Sequence, residues 1–137
     1  MVRFALLGML VLGVAAACGE EKEKKQAGKA CGPAPAAMSG DPKLLPANFP
    51  TPSGVTYTSE KNAGPSSIVS GYVAGDVGDA FDSYKQALAG GGYSVTKDEH
   101  EEVDAEVNFS GGNSTGQVKL LQECADRTSV TITARPD

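Results

Sequence analysis

Tryptophan is absent, histidine occurs once (His100), and aromatic residues make up 6% of the 137-residue chain. One histidine leaves no histidine-based metal set and no credible nucleophile–histidine–acid series. Basic residues are also too few for a nucleic acid partner. Twelve Lys and Arg stand against seventeen Asp and Glu, a net charge of −5, the wrong sign for neutralising phosphates. No collagen period, heptad or series of long apolar runs occurs, which excludes triple helix, coiled coil and polytopic membrane protein. What remains is globular: 40% apolar, 21% charged, with 17 glycines and 8 prolines for turns. The length allows about one domain.

The front of the chain is of another kind. Arg3 precedes an uncharged apolar run over 4–14 (FALLGMLVLGV), followed by Ala15, Ala16, Ala17 and Cys18. A positive start, an apolar middle and a small-residue end make the plan of a secretory signal. As a helix, 4–17 would reach about 21 Å, short of a hydrocarbon core of about 30 Å, so a permanent span is disfavoured. The string VAAAC resembles the lipobox of bacterial lipoproteins, with Ala15 where leucine is most usual. That resemblance implies diacylglyceryl transfer to the Cys18 thiol, cleavage before Cys18, and acyl chains such as palmitate that hold the protein on the cell membrane or outer membrane. Two chains at about 0.8 kcal/mol per buried methylene hold a soluble domain firmly. A plain signal peptide followed by a chance cysteine is the alternative.

Residues 19–40 mix Glu20, Glu21 and Glu23 with Lys22, Lys24, Lys25 and Lys29, then Pro33 and Pro35 among alanines. Such a segment cannot bury a core, and it reads as a disordered tether of roughly 25 Å mean reach; the alternative is a marginal helical turn or two over 20–25 (EEKEKK) through Glu-to-Lys pairs, without an apolar face to hold it. With Cys18 lipidated and the chain exported, Cys31 and Cys124 are left as a pair, and an oxidising compartment favours a disulfide between them. The long loop it would close is worth on the order of 4 kcal/mol. Two free thiols, or an intermolecular bridge through Cys31, are the other readings.

The domain is expected over 41–137. Residues 41–52 carry four prolines and read as an extended lead-in whose Leu44, Leu45 and Phe49 cover an edge of the core. Strands are expected over 55–59 and 67–74, with turn chemistry at 62–65 between them. Asp76 is a helix cap, and Val77, Ala80, Phe81, Tyr84, Ala87 and Leu88 predict an amphipathic helix over 77–89 that Gly90, Gly91 and Gly92 end. Further strands are expected over 93–97, 103–109, 117–124 and 129–134, with a loop at 110–116 and a tight turn at 125–127. The sum is an α+β fold: a two-layer sandwich with a mainly antiparallel sheet of five to six strands and one amphipathic helix packed on one face. Phe49, Pro50, Pro52, Gly54, Phe81, Tyr84, Gly92 and Tyr93 carry a loose resemblance to small exported α+β domains of bacterial lipoproteins, most without an assigned activity.

Several patterns bear on chemistry. Gly112, Asn113, Ser114, Thr115 and Gly116 spell G-x-S-x-G, but a hydrolase elbow needs a strand before, a helix after and a later histidine. Asp98, Glu99, His100, Glu101, Glu102, Asp104 and Glu106 form an acidic run that would gather a cation or a basic partner, or be a solvated strand edge. It lacks calcium-loop spacing and the H-E-x-x-H pattern. Tyr57, Tyr72, Tyr84 and Tyr93 occupy inward positions and read as core rather than pocket lining. Arg127 and Arg135 flank the last strand, placed for cross-strand pairing with Glu106 or Asp104, or for an anionic ligand. Asn113-Ser-Thr matches a glycosylation acceptor, which a bacterial setting disfavours. With seven basic and fourteen acidic residues the domain carries −7, enough to stand off an anionic bilayer.

Together these readings predict an exported, membrane-anchored lipoprotein, with no cofactor and no metal, whose domain binds or scaffolds an envelope partner without catalysis. Two other classes compete. One is an inhibitor or regulatory protein, which an exposed apolar patch around Leu121 would favour. The other is a small enzyme using two carboxylates of the acidic run in a concave pocket.

Overall fold

The structure, a computed structural model, describes residues 18–137; the signal-like stretch 1–17 lies outside the described residues. In chain order the elements are α1 Cys18–Ala27, β1 Thr56–Ala63, β2 Ser66–Ala74, α2 Val77–Gly90, β3 Ser94–His100, β4 Asp104–Gly111, β5 Ser114–Cys124 and β6 Arg127–Pro136. The six strands form one antiparallel sheet in the order β1-β2-β6-β5-β4-β3. After β2 the chain crosses through α2 to the far edge and returns as a meander, so that β6 closes against β2, Ser67 opposite Ala134 and Tyr72 opposite Ser129. The α+β expectation therefore stands as a sheet-dominated fold; among the described residues there are two helices, α1 before the expected domain and α2 within it.

Turn chemistry sets the hairpins. Gly64 has φ 60° and precedes Pro65, whose ring fixes a negative φ. That sign pattern belongs to a type II′ turn, whose twist matches a hairpin. Between β4 and β5 the expected seven-residue loop is a two-residue turn: Gly112 and Asn113 have φ 58° and 59°, as type I′ requires. The strands consequently run on through Gly111 and Ser114, which are paired.

Period-two alternation gives the sheet one dry face. Val69, Ala105, Val107, Phe109, Val118, Leu120, Val130, Ile132 and Ala134 are all at most 4% exposed. α2 covers part of this face with Val77, Ala80, Phe81, Tyr84 and Leu88. Asp76 caps α2 as expected, its carboxylate accepting the Asp79 N–H at 2.9 Å. At about 1.5–3 kcal/mol for each large apolar side chain fully buried, this helix–sheet contact supplies much of the driving force. The proline-rich lead-in contributes the rest of the cover. Leu45 and Phe49, with Val55 just beyond the lead-in, pack on the core, whereas Leu44 is not among the residues packed there; Phe49 meets the rings of Phe109 and Tyr93 at 5.3 and 5.6 Å. Glu60 on edge strand β1 holds the lead-in, accepting the Lys43 and Leu44 N–H groups at 2.8 Å each.

Tyr72 departs from the inward reading. It stands on the opposite sheet face, under the Arg127 guanidinium at 5.9 Å, because its neighbours Gly71 and Val73 take the inward positions of β2. Tyr57, Tyr84 and Tyr93 do join the core.

Candidate functional site

The disulfide and a set of hydrogen bonds meet at one end of the sheet, where β5 turns into β6. Cys124 is 3% exposed at the end of β5 and is disulfide-bonded to Cys31, 93 residues earlier. The pairing that the cysteine count favoured is present. Two hydrogen bonds flank the bridge. Ala125 donates its N–H to the Lys29 carbonyl at 2.7 Å, and Arg127 Nη1 donates to the Gly32 carbonyl at 3.1 Å. Arg127 is itself oriented by the Glu123 carboxylate at 3.0 Å and by the Tyr72 ring. The expected partners Glu106 and Asp104 are out of its reach because β5 lies between β6 and β4. Arg135 instead contacts the Thr115 hydroxyl at 3.5 Å.

The segment expected as a coil therefore has structure within it. α1 occupies Cys18–Ala27 and lies against β5, with Lys24 on Glu102 at 2.8 Å. Glu21 and Lys25 stand four apart, the spacing that supports an exposed helix. Farther along, the Met38 N–H reaches the Tyr57 carbonyl at 2.9 Å. Cys18, the candidate lipid site, is the first residue of α1.

Beneath the disulfide is a polar hub that inspection of the sequence missed. The Gln122 carboxamide accepts the Val77 N–H at 2.7 Å and donates to the Cys124 carbonyl at 2.7 Å. The Thr128 hydroxyl, fully buried, donates to the Gly75 carbonyl at 3.0 Å. A glutamine at an inward position of a strand is the signal that would have found it, since a buried amide must be hydrogen-bonded.

The acidic run is spread over edge strand β3, the 101–103 loop and the start of β4. Lysines pair four of its carboxylates: Lys24 with Glu102, Lys85 with Asp98, Lys97 with Glu99, and Lys119 with Glu106. The Glu99 hydrogen bond holds the Lys97 ammonium above its ordinary pKa. His100 stacks on Phe81 at 5.0 Å. Glu99, Glu101, Asp104 and Glu106 border a depression of about 80 Å³, and no group of three or more His, Cys, Asp or Glu placed to hold a metal occurs among the described residues. The G-x-S-x-G string straddles the type I′ turn between two strands, with Ser114 buried. Leu121 is half-buried between Asp104 and Ser129, neighbours that make no apolar patch.

A concavity of about 460 Å³ lies at the far end of the sheet from the disulfide and includes Asn108, Thr115, Gln117, Thr133 and Arg135 in its walls. In the core, the Tyr57 hydroxyl shares a hydrogen bond with Thr51 at 2.7 Å. The buried Tyr84 hydroxyl lies beside it, near enough to interact with the Tyr57 hydroxyl but without a hydrogen bond of good geometry. Burial raises the pKa of both phenols. No helix among the described residues is long and apolar enough to cross a membrane. No family model, curated protein or solved structure matches the chain.

Proposed function

We propose that this protein is an exported bacterial lipoprotein, anchored through lipid on Cys18, whose α+β domain serves a non-catalytic binding or scaffolding role outside the cytoplasm. The observation that supports this most is the Cys31–Cys124 disulfide. Disulfides persist in oxidising compartments and are rare in the cytosol, and this one follows closely on the cysteine that ends the lipobox-like string. The acidic surface fits a domain that projects from a bilayer rather than lying on it.

Intact-mass analysis of the mature product, with Triton X-114 partition of wild type and Cys18→Ala, tests the reading. A mass equal to the chain from Cys18 plus a diacylglyceryl group, and transfer of the variant to the aqueous phase, are the expected results. An unmodified Cys18 in detergent-extracted material, or wild-type protein in the aqueous phase, overturns the anchor.

A further inference from the structure

We infer that residues 18–32 form a short strut that presents the domain to the membrane in one orientation, with the 75–76, 101–103 and 125–126 loops toward the bilayer and the 64–65 and 112–113 turns away from it. This rests on the lipid-anchor reading of Cys18. A coil over 19–40 would let the domain wander by roughly 25 Å. The structure leaves little slack of that kind: α1 spans Cys18–Ala27, about 15 Å of helix, and the Lys29 carbonyl just beyond it is already bonded to Ala125. Covalent attachment follows at Cys31, and the pre-oriented Arg127 guanidinium holds Gly32. Lys24 on Glu102 ties the side of α1 to the 101–103 loop; both groups are exposed, so this contact gives direction more than energy.

Strand direction converts this attachment into an orientation. β5 has 11 residues, so the 112–113 turn lies about 35 Å beyond Cys124 along the sheet. The near end carries Asp76, Glu101, Glu102, Asp104 and Asp126 together with Lys24, Lys29 and Arg127, so charge of both signs faces the headgroups. The polar concavity beside Arg135, at the opposite end of the sheet, faces away from the bilayer.

The test uses the chain from Cys18 onward, the mature product under the anchor reading and the part the structure describes. With the disulfide intact, Cys18 is its one free thiol, and coupling it to maleimide lipid in nanodiscs reads orientation whether or not the native protein is lipidated. Gadolinium-chelate headgroups then broaden amide signals according to distance. Gly75, Glu101 and Asp126 are expected to lose at least about threefold more intensity than Gly64 and Asn113, given a separation of about 35 Å. Equal broadening at the two ends, or the reverse order, overturns the strut. In Cys31→Ser/Cys124→Ser the contrast should fall by more than half, and an undiminished contrast overturns the role of the bridge. If that variant loses its dispersed spectrum, a Gly-Ser insertion after Ala27, outside the disulfide loop, must weaken the contrast instead, and an unchanged contrast there overturns the strut.

Discussion

Gln122 and Val77 are joined by a 2.7 Å hydrogen bond from the Val77 backbone N–H to the Gln122 side-chain oxygen. It supplies a partner for one of the N–H groups that every helix leaves open at its start, and it does so from a buried position on β5. The same amide ties Cys124 through its carbonyl. The seating of α2 and the shape of the β5–β6 turn thus share one side chain.

Replacement by leucine, similar in size but without the amide, strands the Val77 N–H and the Cys124 carbonyl. Gln122→Leu is expected to destabilise the domain by about 1–3 kcal/mol. Urea melts check the magnitude, and faster hydrogen exchange at Val77 locates the loss.

Tyr84 is the contrasting case. Its hydroxyl is buried with only a poorly formed contact to the Tyr57 hydroxyl, so Tyr84→Phe should change stability by no more than about 1 kcal/mol. The same variant has a pH signature. Burial raises the phenol above its ordinary value of 10.0, so its contribution to stability is complete below pH 10 and is lost as pH rises from there toward the folded-state value. Wild-type stability should fall above pH 10, by about 1.4 kcal/mol per pH unit for each such phenol. Thermal melts between pH 9 and 11, values bracketing 10.0, should show a shallower decline for the phenylalanine variant.

Breaking the disulfide lengthens the free chain of the unfolded state by a 93-residue loop. Cys31→Ser/Cys124→Ser is expected to cost about 2–5 kcal/mol. Differential scanning calorimetry with and without a dithiol should give the same drop for the reduced wild type.

Gly116 sits where β5 passes between the Thr133 carbonyl and the Phe109 ring. A Cβ there would stand inside 3.0 Å of both. Gly116→Ala is expected to destabilise by about 3 kcal/mol, through displacement of backbone or of a core ring. Gly90→Ala, at a position with open space around it, is the control and should be neutral or slightly stabilising in a urea melt.

Much of the fold was legible because its signals are local. Asp76 followed by apolar residues at helical spacing locates α2, and the alternation from Ala105 to Phe109 locates β4 and its dry face. The extent of the β4–β5 hairpin was hidden because glycine, asparagine and serine are as common in loops as in type I′ turns. Tyr72 misled because an aromatic ring on a strand is not obliged to point inward, and here Arg127 covers it.

Charge, the lipobox-like string and the run of elements from β1 to β6 were set by residues near one another or by simple counting, and these the sequence determined by itself; the cysteine pairing was favoured by counting but left open until the fold brought Cys31 to Cys124. Tertiary structure alone decided that β6 closes on β2, that Gln122 serves α2, and that Arg127 turns from Glu106 to Gly32. Those outcomes depend on which distant strands become neighbours, and neighbourhood is chosen by the burial of the whole apolar face, a quantity no short stretch of chain contains.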